Sequence, residues 1–262
     1  MKKNGLRKHD RRMFVKIILT ISPLIYVALV WKGFNHVDPA LTDKNNHSAT
    51  VSQIREQIRY LALGDSYTIG HNVEPGRRWP VQLADSLRKS GIGMAGVDII
   101  AKTGWTTGEL AEAIASENPQ GPYHLVSLLI GVNNQYRDPD TATYRTEFRR
   151  LLQKAINLAG DRPEKVIVVS IPDYGVTPFA RNKDPGRIAE EIDAFNAINY
   201  NETLIAGARY VDVTPISKLA AEDPELLAND GLHPSGKMYS EWVNRVFPVA
   251  LQIIQNQKKN EE

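Results

Sequence analysis

The chain has 262 residues, 42% of them hydrophobic, enough for one α/β domain with a sizeable core. Its 32 Lys and Arg against 30 Asp and Glu leave a formal charge of +2, part of it in the first dozen residues, so the basic face or stripe of a nucleic-acid binder is missing. The absence of cysteine excludes disulfides, thiolate metal sites, a cysteine nucleophile and lipoprotein attachment through a thiol.

Lys2, Lys3, Arg7, Lys8, Arg11 and Arg12 precede an apolar run from Met13 to Trp31. A bilayer core of ~30 Å needs about 20 helical residues, so the run is just long enough to span. Lys16 lies near the basic end, where it can snorkel. Positive charge before the run predicts the N-terminus inside and the remainder outside. The run ends in Val30-Trp31-Lys32-Gly33-Phe34-Asn35, too bulky for a good signal-peptidase site. That favours an anchor over a cleaved signal peptide. Either way the rest is expected outside the cytoplasm, in the cell envelope if anchored or secreted if the signal is cleaved. Residues 1–35 are thus assigned to the basic end and anchor, and 36–57 to a polar linker whose last residues, Ser52 to Gln57, suit a short lead-in helix. The domain is assigned to 58–257, with a polar tail over 258–262.

Within the domain, strand and helix patterns alternate. Arg59 to Leu63 is a short apolar run that stops at Gly64-Asp65. Trp79 to Lys89 has helical periodicity and ends at Ser90-Gly91, a stop signal. Val97 to Ala101 reads as a second strand, Thr107 to Ser116 as a helix and Leu125 to Ile130 as a buried third strand. Asp140 to Ala159 forms a long amphipathic helix ended by Gly160. Val166 to Ile171 is a β-branched fourth strand, Gly186 to Ala206 a helix and Ala208 to Val213 a fifth strand. Ser235 to about Gln257 closes the domain as a helix. Pro172 to Pro185 is the longest irregular stretch, and such loops often border a site. Continuously apolar strands separated by helices imply an α/β domain: a parallel sheet covered on both faces, doubly wound by right-handed crossovers.

In such a sheet ligands bind beyond the carboxyl ends of the strands. That rule selects Gly64-Asp65-Ser66-Tyr67, Lys102-Thr103-Gly104-Trp105, Gly131-Val132-Asn133-Asn134 and Asp230-Gly231-Leu232-His233. Ser66 is the candidate nucleophile, which needs a base to take its proton; a lone serine there reads equally well as an N-cap. His233 is the candidate base. Asp230, three residues earlier, can hold its productive tautomer or simply cap a turn. His71 is near enough to line the site but too close in chain to serve Ser66 easily as base, and His124, at the start of a strand, reads as structural. Ser66 and Gly104 can offer backbone N–H groups, and Asn133 a side-chain amide, to a developing oxyanion. Each signal is weak alone; four in order on one sheet edge are not.

The four blocks, Gly64-Asp65-Ser66-Tyr67, Gly104, Gly131-x-Asn133-Asn134 and Asp230-x-x-His233, resemble those of the SGNH, or GDSL, hydrolases. The resemblance extends from about Arg59 to Gln257. It implies a five-stranded parallel sheet in flavodoxin-like order, a three-layer α/β/α sandwich. It also implies Ser66 as nucleophile and first oxyanion donor, Gly104 and Asn133 as further donors, His233 as base and Asp230 as its orienter. Asn134 stands where many members carry Asp, and Tyr67 where Leu is common. Tyr67, Asn134 and Tyr174 are expected to contact substrate. The expected reaction is carboxylic ester hydrolysis through an acyl-serine, needing no metal or organic cofactor, on a lipid or an acylated envelope glycan. Acyl transfer to a sugar from the same site is one alternative. A tethered, non-catalytic binding module is the other.

Overall fold

The computed structural model describes residues 57–138 and 140–261. The expected basic end, anchor, linker and lead-in helix lie outside them. Among the described residues no helix is long and apolar enough to cross a membrane.

The element order is β1 (Ile58–Gly64), α1 (Ser66–Ile69), α2 (Trp79–Lys89), β2 (Met94–Ala101), α3 (Thr107–Glu117), β3 (Leu125–Leu129), α4 (Val132–Arg137), α5 (Thr141–Leu158), β4 (Val166–Val169), α6 (Pro185–Ala206), β5 (Arg209–Val211), α7 (Thr214–Lys218) and α8 (Gly236–Glu261). The five strands form one sheet, ordered β2-β1-β3-β4-β5 and parallel throughout. The alternation of strands and helices predicts a doubly wound parallel sheet, and this order is the flavodoxin-like one that the resemblance implies. α2 packs on α8, while α5 packs on both α3 and α6, so the sheet lies between two helical layers. β3 and β4 are buried along their whole length, which is why they read as unbroken apolar runs.

The core joins the layers through large side chains. Trp79 of α2 and Trp242 of α8 are fully buried, as are Tyr144 and Phe148 of α5 and Phe195 of α6. Polar groups inside are mostly paired, as burial demands. The Tyr60 and Ser127 hydroxyls bond across β1 and β3 at 2.8 Å. Glu202 on α6, 2% exposed, takes Arg145 at 2.8 Å and Arg149 at 2.7 Å from α5, so the ion pairs clamp two neighbouring helices.

Several boundaries differ from those read in the sequence. β4 stops at Val169 because the Asn196 side chain takes both the N–H and the carbonyl of Ile171 in place of a strand neighbour. β5 stops at Val211; the Val213 N–H donates to the Ser170 hydroxyl. β2 starts three residues early, at Met94, with a register shift against β1 that Ala95-Gly96 does not announce. The Asn133-Asn134 segment, placed only as following β3, is the first turn of α4. α7 lies in a stretch with no clear helical period and was not expected.

Candidate active site

β1 delivers Gly64-Asp65 to the carboxyl edge of the sheet, and the chain turns at once into α1. Asp65, not Ser66, is the N-cap: its Oδ1 accepts the Tyr67 N–H at 3.0 Å. Ser66 occupies the first helical position with its hydroxyl unused by the cap, so the capping alternative for Ser66 does not hold. Asp65 is fully buried; its Oδ2 has no partner among the described residues, and burial pushes its carboxyl up to about 7.

The second turn comes from the far end of the chain. The Asp230 Oδ1 accepts the N–H groups of Leu232 and His233, both at 3.0 Å. Its Oδ2 meets the His233 Nδ1 at 2.6 Å and accepts from the Asn72 Nδ2 at 2.6 Å. Asp230 therefore caps the turn with one oxygen and orients the imidazole with the other. An ionised acceptor at Nδ1 places the proton there and leaves Nε2 as the basic nitrogen. Burial works against the Asp230 charge, but bonds from the His233 ring, the two backbone N–H groups and the nearby imidazole outweigh it and hold the carboxyl at about 2. Burial is also the main influence on His233, lowering its pKa below the ordinary value. Asp230 opposes that shift and the neighbouring His71 reinforces it.

Ser66, Gly104, Asn133 and His233 line one cavity of about 160 Å³, together with Tyr67, Thr103, Val132, Tyr136, Tyr174, Phe179 and Leu232. The nucleophile, base and three oxyanion donors expected from the sequence are thus brought together. No hydrogen bond closes between Ser66 and His233, and such bonds often tighten only with substrate present. The Ser66 and Gly104 N–H groups donate to no other described residue. Gly104 sits at φ +88°, a conformation that side chains rarely adopt, so the backbone itself forms this part of the wall. Asn133 gives one amide hydrogen to the Trp105 carbonyl at 2.9 Å, which fixes the amide and leaves the second hydrogen to donate. Gly131, just before α4, has no room for a Cβ: one would strike the Tyr144 hydroxyl.

Tyr67 lines the cavity as expected. Its ring lies 5.8 Å from His233 and 6.3 Å from Trp242 of α8, which props the imidazole from behind. Tyr174 lines it too, forming an aromatic group with Tyr136 and Phe179 at centroid separations of 6.2 to 6.3 Å. The 172–184 loop that carries Tyr174 and Phe179 is tied to the histidine turn by the Phe179 N–H on the Gly231 carbonyl at 3.2 Å. Asn134 is a correction: it does not line the cavity. Its amide accepts the Thr107 N–H at 3.0 Å and donates to the Thr107 hydroxyl at 2.8 Å, joining α4 to α3. Residue 134 is turned about 100° from 133 along the helix, so it braces the oxyanion segment from beside it.

Sequence reasoning missed Tyr136 and Asn72, and it placed Thr103 and Leu232 in the selected segments without giving them a role. Tyr136 had a legible signal, being one helical turn beyond Asn133, but only once α4 is known to be a helix. Asn72 had none. His71 meets His233 ring to ring at 4.7 Å and bonds to the Thr103 hydroxyl at 3.0 Å. His71, Asp230 and His233 bring donor atoms within 4.8 Å of one another; the facing atoms of the last two are already engaged with each other.

Among solved structures, the fold is shared with a phospholipase A1 from Streptomyces albidoflavus (19% identity, TM-score 0.57, 74% of this chain and 98% of that one). It is shared too with a lipase/acylhydrolase from Enterococcus faecalis (20%, 0.55, 77% and 97%) and an acetyl xylan esterase from Geobacillus stearothermophilus (18%, 0.52, 74% and 94%). At such identities the likeness is one of fold. A search of curated proteins finds no match. The family model described as GDSL-like Lipase/Acylhydrolase matches residues 62–240, a span that runs from β1 through the Ser66 and His233 turns into α8. The chain belongs to that family and is a carboxylic ester hydrolase.

Proposed function

We propose that the chain cleaves its ester through an acyl-Ser66 intermediate, with His233 as the base and Asp230 as its orienter. The observation that carries this reading is the single cavity holding Ser66, Gly104, Asn133 and an imidazole already bonded at Nδ1 to Asp230. The Ser66 Oγ attacks the ester carbonyl carbon and its proton passes to the His233 Nε2. Negative charge builds on the carbonyl oxygen, which the Ser66 and Gly104 N–H groups and the Asn133 amide receive. As the tetrahedral intermediate collapses, the C–O bond breaks and His233 returns the proton to the departing alcohol oxygen. Water then repeats the sequence on the acyl-serine and releases the acid. Asp230 stays ionised and stabilises the imidazolium.

The acyl part is short. The cavity, at about 160 Å³, is smaller than the ~300–1,000 Å³ of sites that enclose drug-sized ligands. Its far wall is aromatic, through Tyr136, Tyr174 and Phe179. Initial rates on p-nitrophenyl esters from acetyl to palmitoyl test this. The highest kcat/KM is expected at acetyl to butyryl, and a maximum at palmitoyl contradicts it. The natural ester is proposed to lie on a lipid or an acylated envelope glycan, met outside the cytoplasm by a domain tethered through the apolar run from Met13 to Trp31. Recovery of full-length chain, but not of a chain starting at Ser52, with washed membranes tests the tether; equal recovery of both in the soluble fraction overturns it.

A further inference from the structure

Beside the cavity lies a second, polar depression of about 540 Å³, lined among others by His71, Asn72, Glu74, Arg78, Lys102 and Thr103. Resting on the esterase reading above, we propose that this groove is the alcohol-side subsite and binds an anionic oxygen group, phosphate or carboxylate, carried by the alcohol of the ester.

Position comes first. The two depressions share Thr103, and His71 stands between groove and base, with its ring 4.7 Å from that of His233. His233 must hand its proton to the leaving oxygen, so the alcohol departs on the imidazole side. An acyl chain has the opposite preference, because the aromatic wall is in the cavity and the groove is polar. The two halves of the ester are therefore sorted by polarity as well as by the direction of proton transfer.

Charge comes second. Arg78 and Lys102 form no ion pair among the described residues, unlike Arg137 with Glu109 and Arg187 with Glu191. The Arg78 Nε is buried without an acceptor among the described residues, so an anion in the groove meets the terminal nitrogens of this half-buried side chain, which suit paired oxygens. The placement is built in: Gly70 leaves room for the Arg78 stem, since a Cβ there would sit 2.6 Å from the Arg78 Cγ. The carboxylate lining the groove is Glu74, which pairs with neither cation. Asp230 lies nearby, but its oxygens are taken by His233, Leu232 and Asn72. Two free cations against one carboxylate select for negative charge, and a guanidinium suits phosphate and carboxylate alike.

The test compares esters that differ only in that charge. The kcat/KM ratio of 1-acetylglycerol 3-phosphate to 1-acetylglycerol reads phosphate, and that of O-acetylglucuronate to O-acetylglucose reads carboxylate. At least one ratio is expected to be about tenfold or more, as one charge-assisted contact gives, and to shrink in high salt. Lys102→Ala and Arg78→Gln are expected to cut it several-fold, and Lys154→Ala, on the exposed face of α5, to leave it as it is. Lys102 is exposed, so its variant reads the groove even if that of Arg78 folds poorly. Ratios near one, or ratios indifferent to Lys102→Ala, overturn the proposal. An NMR titration of the same proteins with glycerol 3-phosphate against glycerol, and glucuronate against glucose, judges the groove without turnover. Binding of a charged alcohol alone, weakened by Lys102→Ala, supports it; equal or no binding of charged and neutral forms refutes it. Failure to hydrolyse even p-nitrophenyl acetate would count against the esterase reading, while the titration still decides the groove.

Discussion

Two turns at the carboxyl edge of the sheet each carry an aspartate one to three residues before the group that is proposed to react, and they treat it in opposite ways. Asp65, before Ser66, is sealed in the core with one oxygen on the Tyr67 N–H and the other without a partner. Its carboxyl rises to about 7. Asp230, before His233, is partly exposed and accepts from two backbone N–H groups, the imidazole and Asn72. Its carboxyl is held at about 2. The same side chain is thus a cap that resists ionisation in one turn and a fixed negative charge in the other. Complete burial with one donor raises Asp65, whereas partial exposure with four donors lowers Asp230, so the balance of burial and donors decides which.

Breaking the contrast at Ser66, the proposed nucleophile, has the largest expected effect. Ser66→Ala is expected to take p-nitrophenyl acetate hydrolysis down to the solution background, because the proposed acyl-enzyme cannot form without the Ser66 hydroxyl. Next comes Asp230→Asn, which keeps the shape but removes the charge that fixes the imidazole. A loss of about 10²–10⁴ in kcat is expected for the wrong tautomer, against little change for Asp65→Asn, whose charge the mechanism does not use. Equal losses in the two variants would show that both turns need their charge.

The pH profile sharpens the same contrast. His233 must be neutral to accept the proton, and its pKa lies below the ordinary 6.5. kcat/KM is therefore expected to fall on acidification, about tenfold per pH unit, with a midpoint below 6.5. A midpoint above that value would mean that Asp230 outweighs burial. Smallest is a stability effect. Because the folded Asp65 carboxyl titrates higher than the unfolded one, its contribution is present below the ordinary 3.8 and lost as pH rises toward about 7. Melting temperatures of Asp65→Asn should lack that decline between pH 4 and 7, since Asn can still cap α1.

Much of this was legible in the sequence where local pattern and tertiary context agree. Trp79 to Lys89 has helical spacing and a Ser90-Gly91 stop, and α2 has those bounds. The buried strands β3 and β4 show as apolar runs because both faces are covered. Ser66, Gly104, Asn133 and His233 were legible because a parallel sheet gathers the ends of its strands, so their order and spacing already told of a shared edge. What escaped was set by side chains distant in sequence. The Asn196 amide ends β4, the Ser170 hydroxyl ends β5, and Asn72 reaches Asp230 from 158 positions away. Asn134, expected to contact substrate, instead bonds Thr107, because on a helix neighbours 133 and 134 point to different partners.

The central claim is that the hydroxyl of residue 66 is the activated nucleophile. A fluorophosphonate probe followed by peptide mass spectrometry tests it most directly. The expected result is a single adduct on Ser66, absent in Ser66→Ala and slowed in His233→Ala. An adduct elsewhere, or none on the folded wild-type chain, would contradict the account.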